Sequence, residues 1–156
     1  MTDATAEFPP IEEVLPHRGA MLLLDRLVAF DAQSADAEYA PRADAWYADA
    51  EGSMPAWVGV ELMAQAAAAH VGMTRRSAGE PPPMGALLGT RRFVSTRPAF
   101  AAGEVLRVRS VLSFRDASGL GAYDCSIAVG GEEVATATLK VFEPADFQAF
   151  LQASRS

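Results

Sequence analysis

The sequence predicts an α+β fold in which one long central helix is wrapped by a curved antiparallel β-sheet. Three observations carry that expectation. Between Pro55 and Arg75 the only charged side chain is Glu61, and Ala, Leu and Met, all strong helix formers, dominate. Trp57, Val58, Val60, Leu62, Met63, the run 66–69, Val71 and Met73 leave this helix no polar side, and a helix apolar all round is buried all round. Four strand-like stretches follow, at 84–96, 104–114, 121–129 and 132–142, with the alternation of an antiparallel sheet that is wet on one face. A sheet that must cover every side of one helix has to curl around it.

The chain has 156 residues, half of them hydrophobic, which suits one domain over 1–156 with a real core. Residues 11–15 read as a short acidic helical turn that Pro16 stops. The apolar run 21–30 has the length of a strand. A turn at 31–34 leads to 35–40, where Ala35, Ala37 and Tyr39 alternate with Asp36 and Glu38, so the two stretches predict a hairpin. Residues 46–54 read as loop. Ser53 is a candidate helix cap and Pro55 suits a first-turn position. Pro81, Pro82 and Pro83 close the helical region. Turns are expected at 116–119 and at Gly130-Gly131, a two-residue hairpin signal. The tail 144–153 could add an amphipathic helix. A half-open sheet leaves an edge, and an edge invites a second copy, so a dimer is expected.

Composition excludes several classes. A net charge of −7 argues against nucleic-acid binding, which needs a basic field. No stretch reaches the roughly 18 apolar residues of a membrane span. The first ten residues hold Asp3 and Glu7 and no basic side chain, which is wrong for a secretory signal and leaves the cytoplasm as the expected compartment. Cys125 is the single cysteine and sits in an alternating strand pattern, as a buried filler would. Two histidines without metal spacing give no case for zinc, and the common nucleotide and serine-hydrolase motifs are absent. No cofactor is expected.

The polar island in the helix is the candidate site. Glu61 stands between Val60 and Leu62, and burial there would push a carboxyl toward the range of general acid–base work; a structural buried acid is the alternative. Gln65 lies one turn on, on the same face, placed to orient Glu61 or to bond a strand. His70 reads as a satisfied histidine near the helix end, where its positive form suits the dipole. His17 lies in the turn Leu15-Pro16-His17-Arg18-Gly19, either anchoring it or pointing into a cleft.

Taken together, Leu15-Pro16-His17-Arg18, Leu22-Leu23-Leu24-Asp25-Arg26 and Glu61-Leu62-Met63-Ala64-Gln65 resemble the β-hydroxyacyl-acyl-carrier-protein (ACP) dehydratases of the FabA/FabZ kind. Arg92-Phe93 and Pro98 to Gly103-Glu104-Val105-Leu106 resemble a later strand pair of that family. Within it, 15–26, 55–65 and 87–92 look most like the ApeP-like dehydratase-related proteins of aryl polyene biosynthesis. The resemblance covers nearly the whole chain. It implies a hot-dog fold, a homodimer or a heterodimer with another dehydratase-like chain, sites at the subunit boundary, and a 3-hydroxyacyl chain on the phosphopantetheine arm of ACP as substrate.

The family's histidine, fourteen residues before the Glu, falls here on Tyr47, within Trp46-Tyr47-Ala48, and the glycine after the proline is Ala56. The usual His–Glu pair therefore does not transfer. Tyrosine, with an ordinary pKa near 10, is a poor base at neutral pH. Two resolutions stay open: His17 takes over as base with Glu61 as acid, or the chain is a weak subunit that supports an active dehydratase. An acyl thioesterase on the same scaffold is a third reading. Substrate contacts are expected from the amides near Ala56 and Trp57, which could polarise the thioester carbonyl, and from Gln65 and Tyr47. Arg75, Arg76, Arg91, Arg92 and Arg97 form a candidate docking surface for acidic ACP.

Overall fold

The structure is a computed structural model that describes residues 7–80 and 86–143. α1 (Ile11–Val14) is one turn with Ile11 and Val14 buried, and a 3-10 turn follows at Gly19–Met21. β1 (Arg26–Phe30) and β2 (Ser34–Tyr39) form the expected hairpin. Asp31 shapes its turn by accepting from the Gln33 and Ser34 amides, 2.8 Å each. β1 starts later than the apolar run suggests. The Leu23 and Leu24 amides donate to Gln65 Oε1 (3.0 and 3.3 Å), which takes them out of any strand ladder.

β3 (Met54–Pro55) pairs with β5 (Ala99–Phe100). A 3-10 turn over Ala56–Val58 then leads into α2 (Gly59–Ser77), the central helix. Ser53 is not its cap: the helix starts without a side-chain cap, and the Ser53 amide donates to Asp49 Oδ1 at 2.9 Å. Arg75 and Arg76 occupy the last turn, where cations suit the dipole.

β4 (Ala86–Ser95), β6 (Leu106–Arg115), β7 (Leu120–Val129) and β8 (Glu132–Phe142) complete a six-stranded sheet of order β1-β2-β6-β7-β8-β4, antiparallel throughout. Every one of these strands touches α2. Laid flat, the outer two would stand about 24 Å apart, twice the width of a helix. The sheet therefore curves around the helix. Leu106, Val108, Tyr123, Ile127 and Leu139 point inward and are fully buried against Leu62, Met63, Ala66 and Ala69. Gly130 and Gly131 make the β7–β8 hairpin with φ of 58° and 84°, the left-handed conformation that a two-residue turn asks of both positions.

Two outward details differ from the alternation. Asp36 is buried, because Arg107 and Arg109 fold over it with bonds of 2.8 and 2.9 Å. β4 carries a bulge between Arg91 and Val94, with Arg92 at φ 56°. Cys125 is the buried filler expected: burial pushes its thiol up to about 12. The tail 144–153 lies outside the described residues.

Candidate functional site

α2 is not buried all round. Val60, Glu61, Ala64 and Ala68 are half-buried, and Trp57, one turn earlier, is exposed. This stripe is the side the curved sheet leaves open. The Glu61 side chain is 34 % exposed, so the carboxyl stands at the lip of the opening and not within the core.

His17 reaches the same lip from the turn after α1. Pro16 limits that turn, and Arg18 closes it, its guanidinium donating to the carbonyls of Leu15 and His17 at 2.6 Å each. His17 Nε2 lies 3.7 Å from Glu61 Oε1, within ion-pair range and beyond a hydrogen bond. Its Nδ1 is buried without a hydrogen-bond partner among the described residues. Forty-four positions apart in sequence, the imidazole and the carboxyl share one opening.

Gln65 is fully buried beneath them. Its Oε1 accepts from Leu23 and Leu24, while Nε2 donates to Met21 O at 2.7 Å and to Glu61 Oε1 at 3.0 Å. It touches Glu61, but the backbone it bonds is the 21–24 segment ahead of β1 and not a strand. The amide is thereby saturated, and a direct substrate contact is not left to it.

The other expected contacts stand elsewhere. The Tyr47 hydroxyl is in the core, hydrogen-bonded to the Tyr39 hydroxyl and accepting from the Arg42 amide at 3.0 Å. Burial, then the bond to Tyr47, raises the Tyr39 hydroxyl well above its ordinary value. The Ala56 amide donates to Pro98 O at 2.9 Å, so it does not point into the opening. Trp57 remains beside it, 62 % exposed. Two further exposed apolar side chains, not singled out from the sequence, lie on or against the segment that Gln65 binds. Met21 is exposed, and so is Trp46, whose indole N–H donates to Ala20 O at 3.1 Å. Nothing in the local pattern marks either, since their place depends on how the 15–24 segment folds onto α2.

His70 belongs to a different network. Nε2 faces Ala32 O at 3.1 Å and Nδ1 faces the Tyr123 hydroxyl at 2.8 Å. A carbonyl only accepts, so Nε2 carries the proton and Nδ1 accepts from Tyr123, which in turn accepts from Arg115 at 3.2 Å. Burial lowers the His70 pKa, so the ring is neutral and the positive form suited to the helix dipole is not the one held here.

The arginine surface is smaller than the sequence suggests. Arg97 pairs with Glu104, Arg75 with Glu143 and Glu80, and Arg76 with Glu13. Arg91 and Arg92 have no acidic partner among the described residues. They sit on β4 beside Phe93, whose ring lies close to Gly59 at the start of α2. A separate open depression of about 410 Å³ on the outer sheet face is lined by Arg92, Arg109, Asp124, Ser126, Glu133 and Thr136 among others. Its charges balance, and it holds neither member of the His17–Glu61 pair, which remains the stronger candidate on chemistry. Among the described residues no three metal-type side chains cluster, and no helix is long and apolar enough to cross a membrane.

None of the curated proteins matches the sequence. Among solved structures, the dehydratase heterocomplex ApeI:P from Xenorhabdus doucetiae is similar at 25 % identity and a TM-score of 0.86, over 94 % of this chain and 99 % of that one. The TT0310 protein of Thermus thermophilus shares the fold at 19 % identity and a TM-score of 0.58, over 76 % and 90 %. A hypothetical thioesterase with coenzyme A from Streptococcus pneumoniae does so at 15 % identity and 0.60, over 76 % and 84 %. The sheet-wrapped helix is thus the hot-dog fold. Residues 9–152 match the ApeP-like family, described as ApeP dehydratase, and the chain belongs to the ApeP-like dehydratase family.

Proposed function

We propose that the chain dehydrates 3-hydroxyacyl groups carried on ACP to trans-2-enoyl-ACP, in fatty-acid-like or aryl polyene biosynthesis, with His17 as base and Glu61 as acid. The observation that carries this is the 3.7 Å approach of His17 Nε2 to Glu61 Oε1 on the open side of α2. The reaction takes a proton from the α-carbon and gives one to the hydroxyl leaving the β-carbon. Imidazole suits the first step at neutral pH, and a protonated carboxyl suits the second. The two reacting groups sit on adjacent carbons, so a base and an acid a few ångström apart can straddle both. Trp57, at the helix start, is the remaining candidate among the two helix-start amides to meet the thioester carbonyl. The scheme needs no cofactor.

A second chain fits this opening. Trp57 lies one turn before Glu61, Met21 on the segment that Gln65 binds and Trp46 against Ala20 of the same segment, and all three leave apolar surface in water. A hot-dog partner, identical or not, would cover it and dry the site, and the Xenorhabdus structure is itself a heterocomplex. The same openness favours the second reading, a supporting subunit whose own pair is idle. Incubation with 3-hydroxyacyl-ACP, alone and with a candidate hot-dog partner, followed by intact mass, separates these. Loss of 18 mass units marks dehydration, and a free thiol marks a thioesterase. Glu61→Gln and His17→Ala should each cut turnover by about 10²–10⁴-fold with unchanged melting. Full turnover in both variants overturns the assignment of the pair. Full turnover in both only when the partner is present identifies a supporting subunit.

A further inference from the structure

We infer that Gln65 is a positioning residue that holds Glu61 by Oε1 alone and so places the acid proton on Oε2, the oxygen left facing the opening. The inference rests on the dehydratase reading above.

Three features lead to it. First, the orientation of the amide is fixed. The Leu23 and Leu24 amides can only donate, so the atom they meet at 3.0 and 3.3 Å is the oxygen, and the nitrogen faces the other way. Second, that nitrogen has two protons and two acceptors, Met21 O at 2.7 Å and Glu61 Oε1 at 3.0 Å. A Glu61 proton on Oε1 would point at an N–H that already points back. On protonation the hydrogen therefore goes to Oε2, which has no partner among the described residues. Third, His17 Nε2 also faces Oε1. Base and anchor thus share one oxygen, and the other is free for the leaving hydroxyl.

One buried side chain also joins the two elements that carry the pair. The Met21–Leu24 segment follows directly on the His17 turn, and Glu61 lies one turn back along α2. A half-exposed glutamate on its own would sample several rotamers, and an anchored one keeps its geometry.

Gln65→Glu tests this in whichever assembly turns over a 3-hydroxyacyl thioester, with the conjugated product read in the ultraviolet. The variant still accepts from Leu23 and Leu24, but it sets a carboxylate about 3 Å from Glu61, and two such groups share a proton. KM should stay within about twofold and kcat should fall about 10–100-fold. The limb on which activity is lost with rising pH should move up by about one unit or more. That limb reports the charge set beside Glu61, and the fall in kcat at constant KM reports the lost anchor. If Glu61→Gln abolishes turnover while Gln65→Glu melts normally and keeps kcat and the pH profile, the inference is overturned and the dehydratase reading stands. If Glu61→Gln keeps full turnover, the dehydratase reading fails and takes the inference with it. Should Gln65→Glu lose its cooperative melt, Gln65→Asn, too short to span Met21 and Glu61, replaces it. Lower kcat at constant KM supports the inference, and wild-type kcat refutes it.

Discussion

Gly72→Ala should cost both stability and turnover, although alanine is the better helix former. Gly72 is buried in α2, beneath α1. A Cβ there would lie 2.4 Å from the Val14 carbonyl oxygen and 3.1 Å from Val14 Cγ1. The nearer atom is backbone and cannot rotate away, so α1 must retreat by more than half an ångström. Overpacking of this kind costs about 1–3 kcal/mol. The gain in helix propensity returns at most about 1 kcal/mol. The net loss, up to about 2 kcal/mol with the full propensity gain, lowers Tm by up to about 8 °C in a chain of this size. Activity follows because Val14 is three residues from His17, and the Arg18 clamp passes the shift along the turn. A displacement of even part of an ångström at the base costs up to about 10²-fold in rate. Thermal melts and steady-state kinetics on the same preparation check both. Gly59→Ala is the control: there the nearest atom, 2.9 Å away, is the Cδ1 tip of Ile127, which can swing aside. Gly72→Ala melting as high as wild type at full rate would refute both the rigidity of the α1 contact and its link to His17.

Tyr47→Phe removes the hydroxyl that meets Tyr39 and the Arg42 amide, so it should cost about 1 kcal/mol in a denaturant titration while leaving the dehydration rate intact. Loss of turnover in that variant would put Tyr47 back in the site. Stability should fall as pH drops from 7.5 to 5, because the His70 pKa is lowered in the fold by burial. The unfolded chain then takes up a proton below about 6.5 that the folded one resists, so the stabilisation is complete above that value and lost as pH falls through the window. Asp31, Glu104 and Asp116, whose carboxyls are lowered mainly by hydrogen bonds, lose theirs only as pH falls below the ordinary carboxylate values of 3.8 to 4.5. Melts of wild type and His70→Gln at both pH values test this, and an equal slope in the two would refute it. Charge reversal at Arg91 and Arg92 together should raise KM for an ACP-bound substrate by about tenfold and spare a small thioester, since rim charges act through encounter with a charged partner. Equal effects on both substrates would count against docking there.

What was legible in the sequence is what depends on near neighbours. The alanine-rich run from Pro55 announces α2, and Gly130-Gly131 announces the β7–β8 hairpin, because propensity and turn geometry act over a few residues. The start of β1 is hidden from the sequence for the opposite reason. Leu23 and Leu24 look like strand, yet the acceptor of their amides is Gln65, about forty positions on. Tyr47 and Asp36 follow the same rule. Their burial is decided by Tyr39 and by Arg107 and Arg109, partners that only the folded sheet supplies.

The open side of α2 shows most clearly where pattern stops and physics continues. Ala64 and Ala68 suit a buried face or a half-open one equally well, so apolarity alone does not orient the helix. Gln65 does. Its amide is too costly to bury without partners, and the amides of Leu23 and Leu24 with the carbonyl of Met21 fill both its acceptor and its donor needs. Once α2 is turned to make those bonds, Glu61, four residues earlier, comes to the lip beside the segment that carries His17. The rotation that satisfies one buried amide thus sets the acid opposite the base, and the residue that reads as structural decides where the chemistry can happen.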